Sequence, residues 1–373
     1  MSAFEQICRL SAAKSNTFPV IRADLLAGPG KVALMNFIGD RPAMVFASPT
    51  VSRIFGDELR DLAMQLRSWN NELITIQTTE QNKTLQTVEA ILTKAQSRYF
   101  GRNGVFIGVG GGVLLDIVGL AAGLFRRGVA QVRIGTTLLA QVDAAIGIKS
   151  GVNVGKAKNL AGLFSPPELV VTDGRFLSTL PQRHIRCGLA EMIKLALVRD
   201  EALFTAIETD GHQLLLESRN SETSQRLVDQ AIRGMIGELE PNAYETELQR
   251  VVDFGHTISP RLESDTNFQL HHGEAVAIDL VYFCIVGQVL GMLKQDAVLR
   301  IVALLDRLGI PRWHELLANL DFIASALDAA QAHRGGQLHL PIPTRIGAAQ
   351  FVSDRRNLTG IVLKEASEIG RVL

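Results

Sequence analysis

One carboxylate and two imidazoles stand out as a candidate catalytic metal site. Glu191 lies in an apolar segment with helical spacing, and His256 and His272 each lie near a predicted helix start. Three protein ligands of this kind leave coordination positions open for two oxygens of a substrate, which a metal would polarise. A helix cap or a hydrogen-bonded buried imidazole is the alternative for each histidine. The three residues are far apart in sequence, so the fold must bring them together.

A glycine-rich turn is the second candidate site. Gly110–Gly112 follow a predicted strand at Val105–Val109 and open an apolar helix. Glycines at such a turn let the backbone approach a nucleotide phosphate, and the helix N-terminus favours its negative charge. The spacing is not GxGxxG, so a tight turn without a ligand is the alternative. Thr136 and Thr137, after the next predicted strand, are either hydroxyl donors or helix caps.

Positively charged side chains suited to a phosphate group occur near both candidate sites. A phosphate dianion needs several such groups around it. The candidates are Lys149, Lys158, Lys194, Arg127 and Arg250. Lys149 and Lys158 belong to a glycine-rich segment that predicts a loop, and Lys194 falls one helical turn after Glu191. The alternative for each is a solvated surface charge.

Two acidic residues lie in segments that are otherwise apolar or rich in glycine, namely Asp116 and Asp143. Burial of an unpaired carboxylate is costly. We therefore expect each of them to bind a ligand or to accept a structural hydrogen bond.

The elements that must position these residues change halfway along the chain. The first half alternates short apolar runs with helical patterns, which is typical of a parallel sheet with helices on both faces. The predicted strands are Ala43–Ala47, Leu73–Ile76, Val105–Val109, Val132–Ile134 and Leu169–Val171, and the predicted helices include Val51–Leu66 and Leu85–Ala95. From Leu177 onward helical spacing dominates, apart from two short apolar runs near the end. The sequence thus predicts an α/β domain over residues 1–176 and a mainly helical domain over residues 177–373.

Length and composition exclude several classes of protein. The chain has 373 residues, enough for two domains, and its formal net charge of zero argues against a nucleic-acid or anionic-membrane surface. Three separated cysteines, Cys8, Cys187 and Cys284, predict neither a disulfide framework nor a thiolate zinc site. The N-terminal segment lacks the apolar stretch of a secretory signal, and no apolar run is long enough for a membrane span. We therefore expect a cytoplasmic enzyme that binds neither nucleic acid nor membrane.

Several short motifs occur together in one order over residues 80–347. They are Gly110-Gly111-Gly112-Val113, Arg126-Arg127-Gly128, Thr136-Thr137-Leu138-Leu139, Lys158-Asn159, Thr179-Leu180-Pro181, Gly188-Leu189-Ala190-Glu191, Gly255-His256-Thr257 and His272-Gly273-Glu274. In these motifs the chain resembles the dehydroquinate synthase-like superfamily of sugar-phosphate cyclases. The resemblance implies an NAD-binding α/β domain, a mainly helical metal-binding domain, an active site in the cleft and a homodimer.

The resemblance also implies roles for individual residues. Glu191, His256 and His272 match ligands of zinc or cobalt. The positions that match nucleotide contacts are Glu80, Lys83, Gly110, Gly111, Gly112, Val113, Asp116, Thr136, Thr137, Asp143, Lys149, Lys158 and Thr179. The positions that match catalytic or substrate contacts are Arg127, Asp143, Lys149, Asn159, Lys194 and Arg250, of which Arg127 matches an arginine that contacts phosphate.

Departures from the dehydroquinate synthases indicate a subfamily. Asp253 stands where those enzymes usually have Asn, and Pro260 stands where they have a second histidine. His333-Arg334 occupies the stretch where they have a C-terminal lysine. These residues and the Glu240–Glu245 run resemble the sedoheptulose 7-phosphate cyclases.

That resemblance implies conversion of a phosphorylated C7 ketose to a cyclitol, with transient oxidation by NAD and loss of phosphate. It further implies that Asp253, His333 and Arg334 contact the end of the substrate that bears a carboxylate in dehydroquinate synthesis. An aspartate there repels a carboxylated ketose and accepts hydrogen bonds from a hydroxymethyl group.

Two other functions stay open on the sequence alone. One is 3-dehydroquinate synthase, because Leu139–Asp143 is closer to the dehydroquinate form of that segment. The other is a metal- and NAD-dependent polyol dehydrogenase, which has a related fold and would accumulate NADH. Ser48-Pro49-Thr50 replaces the pattern that the resemblance predicts on the adenosine side of NAD.

Overall fold

A computed structural model describes residues 16–26, 28–66, 72–155, 157–217 and 219–373. Within these residues the N-terminal half is built on a parallel sheet. Its strands are β1 (Val20–Arg22), β2 (Ala43–Ala47), β3 (Leu73–Thr75), β4 (Val105–Gly110), β5 (Ala130–Gly135) and β8 (Leu169–Thr172). They lie side by side in the order β1-β8-β5-β4-β2-β3, and all neighbours pair in parallel.

Helices cover both faces of this sheet. They are α1 (Pro29–Ile38), α2 (Pro49–Ile54), α3 (Gly56–Gln65), α4 (Leu85–Ser97) and α5 (Gly112–Leu124). Apolar residues of α1 to α3 pack on one face, and those of α4 and α5 pack on the other. Strands buried on both faces must be apolar throughout, which explains the continuous apolar runs in the sequence. The predicted α/β architecture is confirmed.

The helix predicted over residues 51–66 is interrupted. Phe55 leaves helical geometry, with φ −118° and ψ 22°, and separates α2 from α3. Its ring packs edge-on against Phe176, with ring centroids 5.0 Å apart. Burial of an aromatic ring against the sheet core therefore overrides continuous helical spacing at this point.

The C-terminal half is mainly helical, as predicted. Its helices are α6 (Arg175–Ser178), α7 (Gln182–Arg199), α8 (Glu201–Asp210), α9 (Glu222–Leu239), α10 (Ser259–Asp265), α11 (His272–Val289), α12 (Gln295–Leu308), α13 (Leu320–His333) and α14 (Gly360–Val372). Helices α7 and α11 pack against each other at the centre of one large apolar core. Among the described residues, α11 is the helix that is long and apolar enough to cross a membrane, but 83% of this 18-residue helix is buried inside the protein. It is the core helix of this half.

The segment around Lys149 and Lys158 is an antiparallel hairpin, so the predicted glycine-rich loop is wrong. The hairpin consists of β6 (Lys149–Val154) and β7 (Ala157–Phe164). Gly151 faces Gly162 across it, and a Cβ at Gly162 would lie 2.6 Å from the Ser150 carbonyl oxygen. The glycines allow close packing of two backbones.

A second hairpin consists of β9 (Leu340–Arg345) and β10 (Ala348–Val352). Of the two short apolar runs near the C-terminus, residues 350–352 lie in β10, whereas residues 337–340 reach β9 only at Leu340. The parallel sheet ends with Thr172, and α7 begins at Gln182. The domain boundary at residue 176 stays a prediction.

Candidate functional site

Glu191, His256 and His272 come together although they belong to three different elements. Glu191 lies on α7, His256 precedes α10, and His272 is the first residue of α11. One ligand atom from each lies within 4.8 Å of the other two. A carboxylate and two imidazoles at this spacing can hold one divalent metal ion and leave coordination positions open. We call these three residues the triad.

The two imidazoles are oriented by hydrogen bonds on their far sides. Nδ1 of His256 lies 3.1 Å from the Phe254 carbonyl oxygen, and Nδ1 of His272 lies 3.0 Å from Oε1 of Glu263. Their Nε2 atoms point toward Oε1 of Glu191, at 3.9 Å and 3.2 Å. A metal-binding histidine commonly donates its other N–H in this way, which holds the ring in place.

Asp279 holds the turn that carries His256. Its Oδ2 accepts hydrogen bonds from the backbone N–H groups of Thr257 at 2.8 Å, Ile258 at 2.5 Å and Ser259 at 2.8 Å. Asp279 is fully buried on α11. Sequence reasoning missed it, although a lone aspartate within the apolar run of α11 was a signal that it binds something.

Buried opposite charges surround the triad. Nζ of Lys194 lies 2.5 Å from Oε2 of Glu191, and both side chains are almost fully buried. Burial opposes ionisation of Glu191, but Lys194 and His272 outweigh it and hold the pKa of that carboxyl well below its usual range. Burial raises the pKa of Asp143 despite the nearby Lys194.

The pKa values of the two imidazoles shift in opposite directions. Burial and the charge of Lys194 lower the pKa of His256 to about 3. Burial opposes protonation of His272 too, but Glu263 and Glu191 outweigh it and raise the pKa to about 10. Both oxygens of Glu191 are buried and receive no well-aligned hydrogen bond from the described residues. Carboxylate oxygens without well-aligned hydrogen bonds, next to two Nε2 atoms, are suitable ligands for a metal ion.

The glycine-rich turn ends β4 and opens α5. A Cβ at Gly110 would lie 2.5 Å from the Leu114 side chain, so this position tolerates no side chain. Thr136 donates its backbone N–H to the Gly110 carbonyl at 3.0 Å, and the Thr137 hydroxyl accepts from the Ala140 N–H at 3.1 Å. Both threonines therefore lie beside the turn, and Thr137 has the cap contact that the sequence left open.

A polar network continues from this turn to the hairpin. Nζ of Lys83 lies 2.5 Å from Asp116 on α5 and donates to Oδ1 of Asn159 at 2.6 Å. Asn159 has a positive φ of 52° on β7. Glu80 accepts from Nδ2 of Asn153 at 2.9 Å. Glu80, Lys83 and Asp116, which match nucleotide contacts, thus form with the hairpin residues one polar wall beside the glycine turn.

A second group of charges, which we call the cation cluster, lies around Lys149, Arg250 and Arg334. Glu245 accepts from Lys149 at 2.7 Å and also from Arg250. Asp253 lies 3.5 Å from Arg250 and 3.3 Å from Arg334. Burial opposes ionisation of Asp253, but the two arginines outweigh it and lower its pKa. Glu245 has a positive φ of 53°, a strained conformation for this residue type.

Three predicted site residues lie apart from this assembly. Arg127 is exposed just before β5, whereas the glycine turn lies at the other end of that strand. The six extended residues of β5 separate the two by about 20 Å. His333 is exposed at the end of α13, and its neighbour Arg334 makes the contact with Asp253. Thr179 is exposed after α6, where its hydroxyl bonds to the Phe176 carbonyl.

Comparison with known proteins agrees with this geometry. Models of the 3-dehydroquinate synthase N-terminal and C-terminal regions match residues 73–187 and 188–330. The 2-epi-5-epi-valiolone synthase of Streptomyces glaucescens is 38% identical over 351 residues, which cover 92% of this chain and 90% of that protein. The 3-dehydroquinate synthase of Halorhodospira halophila is 32% identical over 334 residues, 89% of this chain and 92% of that protein.

A solved structure is similar over almost the whole chain. It is ValA, the 2-epi-5-epi-valiolone synthase from Streptomyces hygroscopicus subsp. jinggangensis 5008, with NAD+ and Zn2+ bound. The TM-score is 0.90 at 35% identity, and the match covers 98% of this chain and 99% of that one. By its sequence and by its fold, the chain belongs to the dehydroquinate synthase-like family.

Proposed function

We propose that this protein is a sugar-phosphate cyclase that converts sedoheptulose 7-phosphate to 2-epi-5-epi-valiolone or a close epimer, with release of phosphate. One observation carries the proposal: the triad lies within 4.8 Å and is linked through Glu263 and Lys158 to the wall beside the glycine turn. A substrate bound between the two sites would therefore face both a metal ion and a nucleotide. Relatives named 2-epi-5-epi-valiolone synthase are 36–38% identical to this chain, and 3-dehydroquinate synthases are 32–36% identical.

Two groups, NAD and a divalent metal ion, would supply the chemistry that side chains lack. When bound, NAD would supply reversible hydride transfer, and zinc or cobalt would supply polarisation of substrate oxygens. Glu191, His256 and His272 would hold the metal. The glycine turn, with Glu80, Lys83, Asp116 and Lys158 beside it, would hold the nucleotide.

The protein's own residues bind the substrate and carry protons. Lys149 and Arg250, which meet at Glu245, would bind the phosphate group and stabilise its charge as it leaves. Nζ of Lys194, beside Glu191, can hold a proton next to a substrate hydroxyl, with Asp143 as its buried neighbour. Fixed positions for these groups lower the barrier by orienting the substrate.

Asp253 would select the substrate. Arg250 and Arg334 keep its carboxylate ionised, so it repels a second carboxylate and accepts hydrogen bonds from a hydroxymethyl group. In this proposal Arg334 holds Asp253 in place, and His333 lies further toward solvent.

The second candidate is 3-dehydroquinate synthase, favoured by the two family models that match the chain. The deciding experiment incubates metal-loaded enzyme and NAD with sedoheptulose 7-phosphate or with the corresponding carboxylated heptulosonate phosphate. Phosphate release is measured, and the product is identified by NMR. Release only from the first substrate supports the proposal, and release only from the second makes the enzyme a dehydroquinate synthase.

The same incubation separates a cyclase from a polyol dehydrogenase. A cyclase returns its hydride within each turnover, so absorbance at the NADH band stays flat while phosphate accumulates. Steady NADH production without phosphate release would overturn the cyclase assignment. The variant Asp253→Asn should accept the carboxylated substrate better, and unchanged rejection would remove Asp253 from the selection.

A further inference from the structure

We propose that Glu263 couples the metal site to the nucleotide site, so that each ligand tightens the binding of the other. The inference rests on the proposed function, since it needs both ligands to bind. It assigns a positioning role to a residue that the sequence did not single out. Glu263 contacts neither the substrate nor the reacting atoms, and acts through His272 and Lys158.

The carboxylate of Glu263 is shared between two partners from different parts of the fold. Its Oε1 lies 3.0 Å from Nδ1 of His272, and its Oε2 accepts from Nζ of Lys158 at 2.6 Å. Glu263 lies on α10 in the helical half and is 4% exposed, whereas Lys158 lies on β7 of the hairpin. One buried side chain therefore joins a candidate metal ligand to the hairpin.

Lys158 continues the connection into the nucleotide wall. Its Nζ lies 3.8 Å from Oε1 of Glu80, the same oxygen that accepts from Asn153. The ammonium group also lies over the Phe268 ring, 5.7 Å from its centroid. These contacts confine Lys158 to one position, which depends on where Glu263 is held.

The coupling should be positive, because the metal ion adds positive charge and fixes side chains that the nucleotide also needs. A divalent cation at the triad fixes the His272 ring, which then fixes Glu263 through the Nδ1 hydrogen bond. Lys158 is held in turn, so a nucleotide phosphate meets an ordered ammonium group and a more positive site. The effect must be reciprocal, because coupling between two binding equilibria acts equally on both.

The test measures NADH binding to the full chain by fluorescence, with and without saturating Zn2+ after chelator treatment. We expect zinc to lower the NADH Kd of the unmodified protein about 10-fold, within the usual range for coupled sites. In Glu263→Gln and in Lys158→Met this ratio should fall to about 1. Glu263→Gln should also bind zinc about 10- to 100-fold more weakly, so zinc is raised until the site is saturated.

Asp265→Asn is the matched control, because Asp265 lies on the same helix and pairs with Arg261 at the surface, at 2.8 Å. It should keep the full coupling. A coupling that persists in Glu263→Gln and Lys158→Met overturns the inference, whatever their absolute affinities. If the unmodified protein binds both ligands independently, the inference fails and the proposed function stands. If it binds neither zinc nor NADH, the proposed function itself fails.

Discussion

The triad and the cation cluster are neighbouring charged regions, since Lys194 and Lys149 both act on Asp143, and they are built in different ways. The triad is held by buried contacts: Glu191 has a side chain with 0% exposure, and each imidazole is fixed by a hydrogen bond on its far side. The cation cluster is more open. Lys149 has 60% of its side chain exposed and is balanced by Glu245, in a strained backbone conformation.

This difference in burial and pairing determines which kind of ligand each region can bind. In the triad neither oxygen of Glu191 receives a well-aligned hydrogen bond from the described residues, and Oε1 faces both Nε2 atoms while Lys194 lies beside Oε2. In the cation cluster, Lys149, Arg250 and Arg334 already form ion pairs with carboxylates of the protein. An anion that bound these cations would have to exchange with Glu245, so under the proposed function two negative charges compete for them.

The largest effect is expected from Glu191→Gln. The change removes a metal ligand and leaves Lys194 buried without its closest counter-ion, which costs about 3–5 kcal/mol when a buried pair is broken. Zinc content by elemental analysis should fall to background, and urea unfolding should show the loss of stability. Glu222→Gln, at an exposed pair with Arg226, should change neither quantity. Full zinc retention in Glu191→Gln would remove Glu191 from the metal site.

Asp279→Ala tests whether the triad is held by its buried supports. Three backbone N–H groups lose their acceptor, and we expect a loss of about 3 kcal/mol in unfolding free energy and weaker zinc binding. Asp279→Asn keeps an oxygen acceptor and should lose much less by both measurements. Equal losses in the two variants would mean that charge, and not the three hydrogen bonds, is what Asp279 contributes.

Acid should loosen the support of the triad. Burial raises the pKa of Glu263, but His272 and Lys158 outweigh it and lower the pKa to about 2, from an ordinary value of 4.5. The ionised carboxylate thus stabilises the fold above pH 4.5, and this contribution disappears as the pH falls toward 2. At about 1.4 kcal/mol per pKa unit, this contribution amounts to roughly 3 kcal/mol. Unfolding of the chelated protein across this range should show a steeper pH dependence in the native sequence than in Glu263→Gln, and parallel curves would contradict the assignment.

A smaller effect is expected in the cation cluster from Glu245→Gln. The change frees Lys149 and Arg250 from their shared carboxylate, so inorganic phosphate should bind about 2- to 5-fold more tightly, as partly exposed ion pairs are weak. Calorimetric titration with phosphate measures this affinity. Glu247→Gln, an exposed neighbour, should leave it unchanged. Weaker phosphate binding in Glu245→Gln would show that Glu245 positions the cations and does not compete for them.

The smallest effect is expected from His333→Ala. Its side chain is exposed at the end of α13, so the stability should change by less than about 0.5 kcal/mol and the KM for the ketose phosphate only slightly. Arg334→Ala removes a buried partner of Asp253 and should raise that KM more. A larger KM change in His333→Ala than in Arg334→Ala would restore the substrate contact that the resemblance assigned to His333.

The sequence by itself determined the order of elements and the chemistry available to them. Apolar runs and helical spacing are local properties of the chain. This explains why the strands from β2 to β8 in the parallel sheet were predicted close to their observed bounds, and why the second half was predicted to be mainly helical. The triad was also predicted, because its three residues stand in short motifs that resemble the metal-ligand motifs of the family.

Only the tertiary structure decided which of those residues act together. Lys158 and Glu263 are 105 positions apart, and Thr257 and Asp279 are 22 apart, so no spacing rule predicts either contact. The hairpin that carries Lys149 and Lys158 was missed because its glycines indicate a loop unless a second strand lies opposite. The positions of Arg127 and His333 away from the cluster depend on the direction in which the chain leaves each element. Contacts between distant segments follow from packing, and packing is a property of the whole fold.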